Sequence, residues 1–111
     1  MSAFRRFETQ VLRFLVVPKL SEHVVSSIEQ NADFVSYEYS GCGYFLTVRH
    51  PAIPHERIVC DKPFVSGLAR GIRSGFVIFI ENGQLMFECY ELGEPTIPAD
   101  YRDLDVVVSV T

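Results

Sequence analysis

The chain has 111 residues, 48% of them hydrophobic, and a formal net charge of −4. This length and composition predict one globular domain spanning residues 1–111, and they exclude a disordered chain and two domains with separate cores. The sequence has no secretion-signal pattern and no apolar run of the about 20 residues that cross a bilayer. We therefore expect a cytoplasmic protein.

The N-terminal third predicts one or two helices. In residues 2–17, apolar side chains recur at the spacing of an amphipathic helix: Phe4, Phe7, Val11 and Phe14. The apolar run at 12–17 would equally suit a short strand that ends at Pro18. A second helix is predicted from Ser21, a good N-cap, to about Asn31.

From Phe34 onward the apolar residues alternate, which is typical of strands. Short strands are predicted at 34–39, 44–49, 57–60, 64–69, 76–80, 85–90 and 105–111. Helices followed by strands joined in hairpins indicate an α+β fold. The expectation is a single domain with a mainly antiparallel, twisted sheet of six or seven short strands, and one or two N-terminal helices packed on it.

The strongest local pattern is a β-hairpin from Gly75 to Tyr90 that turns on Asn82-Gly83, the dipeptide typical of type I′ turns. In that register the side chains of one face are all apolar: Phe76 opposite Cys89, Ile78 opposite Phe87, and Ile80 opposite Leu85. The other face, here called the mixed face, carries Val77, Phe79, Met86, Glu88 and Tyr90. It is too apolar for ordinary solvent surface, so we expect a helix, a second copy or a partner to cover it.

Several chemistries are disfavoured by position. Cys42 lies between two glycines in a predicted turn, about 20 Å along the next strand from His50, so a Cys–His dyad is not expected. The three cysteines and three histidines lack the spacing of metal-ligand pairs. We therefore predict reduced thiols, no metal site, no cofactor and no catalytic residue.

Charge is distributed unevenly along the chain. Residues 74–111 carry one basic residue, Arg102, and seven acidic residues. An acidic surface of this kind repels nucleic acid and attracts a basic protein. We accordingly expect no nucleic-acid or membrane partner.

In its size, acidity and lack of a catalytic motif, the chain is similar to toxin-neutralising immunity proteins of bacteria. That resemblance implies a non-enzymatic, protein-binding accessory module that presents an acidic surface to a basic partner. The predicted binding residues are Phe79, Met86, Glu88, Tyr90 and Glu91. Two alternatives remain open: a homodimer through the mixed face, and a small-molecule-binding protein or unrecognised enzyme with a pocket between sheet and helix.

Overall fold

Two helices precede a seven-stranded antiparallel sheet in the computed structural model, which describes residues 2–111. The helices are α1 (Arg6–Val16) and α2 (Glu22–Asn31). The strands are β1 (Asp33–Tyr39), β2 (Gly43–Arg49), β3 (Ile58–Cys60), β4 (Val65–Ala69), β5 (Ile72–Glu81), β6 (Gln84–Glu91) and β7 (Val107–Val110). A short 3-10 helix, Tyr101–Asp103, precedes β7. The predicted α+β class, with N-terminal helices and an antiparallel sheet, is confirmed.

The ambiguous N-terminal segment is a helix, so the strand considered for residues 12–17 is wrong. The helical spacing prevails because Phe7, Val11 and Leu15 form one buried stripe along α1. The backbone N–H of Arg5 donates a 2.7 Å hydrogen bond to Glu8, which satisfies a free donor at the helix start. Phe14 does not join the stripe, and 45% of its surface is exposed.

The second helix begins after Ser21, as predicted, and the Ser21 hydroxyl accepts a 3.2 Å hydrogen bond from the backbone N–H of Val24. It ends at Asn31, also as predicted. Val25 and Ile28 are the residues of α2 that are fully buried. The two helices contact each other, and both contribute to the hydrophobic core.

The sheet has the strand order β1-β2-β6-β5-β4-β7. The long strand β5 pairs with β6 on one side and, on its other side, with β3 and then β4 along successive parts of its length. The edges of this order are therefore β1 and β7.

The β5–β6 hairpin has the predicted register. Phe76 faces Cys89, Ile78 faces Phe87, and Ile80 faces Leu85. Asn82 and Gly83 both have positive φ, 55° and 76°, which a type I′ turn requires. The turn is further held by the backbone N–H of Asn82, which donates a 3.0 Å hydrogen bond to the carbonyl of His55.

The core lies between the helices and one face of the sheet. Its fully buried side chains come from both helices and the central strands: Leu12, Leu15, Val25, Ile28, Leu46, Val48, Ile78, Ile80, Leu85 and Phe87. The side chains that alternate with them on β2, β5 and β6 are mostly half-buried. The residues of the mixed face lie on the side of the sheet opposite the helices. We call this whole side, which also includes residues of the other strands, the open face.

The edge strand β1 departs from its predicted alternation. A register shift between Phe34 and Ser36 interrupts its pairing with β2. Phe34 and Val35, beside this shift, are 58% and 39% exposed. Within residues 2–111, no helix is long and apolar enough to span a bilayer.

Candidate functional site

Four of the five predicted binding residues lie together on the open face. Phe79 is on β5, and Met86, Glu88 and Tyr90 alternate along β6. All four are half-buried. Glu91 is different, because it follows Tyr90 and therefore points to the helix side of the sheet. There its carboxylate accepts a hydrogen bond from the Thr96 hydroxyl.

The strand register sets the surroundings of Glu88. Directly across the ladders, Glu88 faces Phe45 of β2 on one side and Val77 of β5 on the other. Met86 and Tyr90 flank it along its own strand and point to the same face. Every immediate neighbour of this carboxylate on the sheet surface is thus apolar or aromatic.

This environment changes the acid–base behaviour of Glu88. Burial among these side chains raises the pKa of its carboxyl group, because desolvation disfavours the charged form. The five ion pairs formed among the described residues do not include Glu88. The open face therefore presents a desolvated carboxyl group that has no cationic partner among residues 2–111.

Tyr90 packs along the sheet surface. It lies in register between Gly43 of β2 and Gly75 of β5. A Cβ atom added to Gly75 would lie 2.4 Å from Cζ of Tyr90, so the ring occupies the space above that glycine. Burial, and secondarily the charge of Glu88, raise the pKa of the Tyr90 phenol. The phenol is thus neutral at physiological pH and forms a flat apolar surface beside Glu88.

One end of the open face has a shallow depression of about 360 Å³ between Phe79 and Met86. Arg57 forms its wall, with the guanidinium carbon 5.8 Å from the centroid of the Phe79 ring. Arg57 also pairs with Glu81 at 3.5 Å. This cation is therefore engaged at the rim, away from Glu88.

The interpretation of the sequence missed part of this surface. Phe45 and Thr47 of β2 face Glu88 and Met86 across the β2–β6 ladder. Val59 of β3 faces Phe79. Because Tyr44, Leu46 and Val48 alternate as core residues, the sequence could have placed Phe45 and Thr47 on the opposite side of their strand. It could not have placed them beside Glu88 and Met86, because no local sequence pattern shows that β2 pairs with β6.

A buried polar cluster lies on the other side of the sheet. The Glu8 carboxylate is fully buried and receives hydrogen bonds from the side chain of Arg102 and from the hydroxyl of Tyr44. The Arg102 guanidinium also lies over the Tyr37 ring, 5.5 Å from its centroid. Because both carboxylate oxygens have partners and no solvent access, this cluster holds α1 to the C-terminal segment and offers nothing to a substrate.

The thiols have separate environments. Burial raises the pKa of Cys60 to about 11 and that of Cys89 to about 12, which makes both poor nucleophiles at neutral pH. Cys42 is exposed at the β1–β2 turn, while His50 follows the far end of β2. The described part of the chain contains no cluster of three or more His, Cys, Asp or Glu side chains that could hold a metal ion.

Comparison of the chain with protein-family models, with curated proteins and with solved structures found no match in any of the three. Its function must therefore be inferred from the open face itself.

Proposed function

We propose that the protein is a non-enzymatic binding module whose open face docks on a basic protein partner, with a Lys or Arg side chain of that partner opposite Glu88. The observation that carries this proposal is the isolation of Glu88 among Phe45, Val77, Met86 and Tyr90. A charged group with apolar neighbours and no counter-ion is complemented best by a cation that arrives with the partner.

The surrounding side chains suit such a contact. Aromatic and Met side chains are enriched at the buried centres of protein interfaces, and they exclude water from the polar contact at the centre. A cation placed at Glu88 would also meet the Phe45 and Tyr90 rings, whose faces attract positive charge. Burial of the apolar side chains would remove water from the contact, and Glu88 would determine which partner binds and in which orientation.

Self-association through the same face is less favourable. Two copies stacked by their open faces would bring two Glu88 carboxylates, and the nearby Glu38 of β1, into one apolar interface. Like charges in such an environment repel each other unless they are protonated. We accordingly expect a monomer of 12.6 kDa by light scattering at pH 7.

The proposed interface does not include Glu91. This side chain points to the helix side of the sheet and is engaged by Thr96. Complete burial of Leu12, Ile28 and Phe87 between helices and sheet favours a surface site over a ligand pocket in that space.

Site-specific photo-crosslinking tests this proposal. We would replace Phe79 by the photoreactive residue benzoylphenylalanine and irradiate cells that natively express the protein. The same replacement at Phe14, which is 45% exposed on α1, is the matched control. A basic protein joined to the chain only through position 79 supports the proposal. No adduct at position 79, or the same adducts from both positions, would overturn it.

A further inference from the structure

The two edges of the sheet differ in how they are protected against further strand pairing. The β1 edge carries Asp33 and Glu38 and has an irregular register, features that discourage another strand from adding to it. The β7 edge, Val107–Val110, has no charged residue and no proline, and its register with β4 is regular. Val107 and Val110 are 64% and 40% exposed. The β7 edge is therefore open to pairing.

The backbone of β7 has hydrogen-bonding groups that face outward. Thr111 donates a 3.0 Å hydrogen bond to the carbonyl of Phe64, next to the β4–β7 ladder. Because hydrogen-bonded and non-hydrogen-bonded pairs alternate in an antiparallel ladder, Ser109 and Val107 also bond to β4. It follows that the N–H and C=O groups of Val108 and Val110 point away from the sheet.

A groove runs beside this edge. Its volume is about 660 Å³, and it lies between the start of α1, which contributes Arg6 and Gln10, and residues 102–108. A sheet edge next to a helix is the arrangement in which peptide-recognition domains bind an extended peptide as an added strand. The groove thus places space for side chains next to unpaired backbone groups.

The charges around the groove distinguish among occupants. Arg5 is paired with Asp103 at 3.1 Å, and Arg102 is paired with Glu8 at 2.8 Å. Arg6 and Asp105 also line the groove, and neither forms an ion pair with any residue in the described part of the chain. A second copy of β7 would bring only valines to the helix side of the added strand, since Val108 and Val110 have that orientation. It would leave Arg6 without a carboxylate.

We propose that the groove between α1 and β7 binds an extended segment of another protein as an eighth strand, in which apolar residues alternate and an Asp or Glu faces Arg6. Backbone hydrogen bonds to Val108 and Val110 set the register of the added strand, and Arg6 selects a bound segment with an acidic side chain at that position. This site is on a different surface from the open face and does not depend on the function proposed for it.

The test begins with selection of a phage-displayed library of random peptides on the full chain. We expect enriched peptides with alternating β-branched or aromatic residues and one acidic position. A synthetic copy of one such peptide then serves as the probe in fluorescence polarisation. Its binding should protect the amides of Val108 and Val110 from hydrogen exchange.

Two substitutions test the contacts that the added strand would make with the β7 backbone and with Arg6. Val110→Pro removes an outward N–H, which an edge strand tolerates, and should weaken peptide binding by about tenfold or more. Arg6→Ala should weaken it by a similar factor, about tenfold, whereas Arg49→Ala, an exposed arginine on β2, should not. Failure to enrich any peptide, or affinity unchanged by both substitutions, would overturn the proposal. A dimer in light scattering that Val110→Pro abolishes would overturn it too, because the occupant would then be a second copy.

Discussion

Glu8 of α1 and Arg102 of the C-terminal segment form a bidentate ion pair between residues 94 positions apart, with Nε–Oε2 and Nη2–Oε1 distances of 2.8 and 3.0 Å. The carboxylate is fully buried, and 11% of the Arg102 side chain is exposed. Tyr44 adds a 2.5 Å hydrogen bond from its hydroxyl group. The pair therefore joins the first helix, the sheet and the segment that leads into β7.

Removal of one partner should be costly. Arg102→Met leaves the Glu8 carboxylate buried without its counter-ion, and we expect a loss of about 3–5 kcal/mol in the free energy of unfolding. Urea denaturation followed by circular dichroism measures this loss. Arg5→Ala, which breaks the exposed pair with Asp103, is the control and should cost less than about 1 kcal/mol. Similar losses for the two variants would contradict a structural role for the buried pair.

Two glycines on either side of Tyr90 should respond differently to alanine. At Gly43 a Cβ atom would lie 2.1 Å from the backbone oxygen of Cys89, which cannot move without disturbing the sheet. At Gly75 the three atoms nearest to the new methyl group belong to the far end of the Tyr90 side chain, which can move. We expect Gly43→Ala to cost about 1–3 kcal/mol, and Gly75→Ala to displace the ring at a smaller cost.

Thermal unfolding and the NMR shifts of the Tyr90 ring measure these two effects. Equal destabilisation by both substitutions, or an unmoved ring in Gly75→Ala, would show that Tyr90 does not pack as described.

The thiols should differ in reactivity. Cys42 is exposed, whereas Cys60 and Cys89 are buried and have pKa values raised by burial to about 11 and about 12. Ellman's reagent at pH 8 should therefore label one thiol in the folded protein and all three cysteines in denaturant. Cys42→Ser, the matched variant, should leave no rapidly reacting thiol in the fold. Rapid labelling of a second thiol without denaturant would disprove the core positions of Cys60 and Cys89.

Glu88 should make stability depend on pH. Because desolvation raises its pKa in the fold, Glu88 keeps its proton up to a higher pH in the folded protein than in the unfolded chain. The contribution of this proton to folding stability is fully present below the pKa of Glu in the unfolded chain, about 4.3, and is lost as the pH rises through the pKa of Glu88 in the fold. Glu88→Gln should therefore have a higher Tm than the wild type at pH 7 and a similar Tm at pH 3. Glu56→Gln, at an exposed position, is the control. A lower Tm for Glu88→Gln than for the wild type at pH 7 would contradict the desolvation of Glu88.

The local parts of the fold were predictable because they depend on neighbouring residues. The Asn82-Gly83 turn determined the β5–β6 register, and this register placed Phe79, Met86, Glu88 and Tyr90 on one face. The contacts that depend on distant residues were not predictable. Phe45 reaches Glu88 only through the β2–β6 pairing, and the partner of the buried Glu8 is Arg102, which is 94 residues away in the sequence.

The central claim, that Glu88 is the centre of a docking surface for a basic protein, is tested most directly by charge reversal. The wild-type chain and Glu88→Lys would be immobilised and exposed to lysate of cells that natively express the protein. Glu22→Lys, the same change on α2 at a side chain 78% exposed, is the control. We predict a basic protein that is retained by the wild type and by Glu22→Lys and is lost from Glu88→Lys. Equal retention by Glu88→Lys, or no protein retained by the wild type, would contradict the claim.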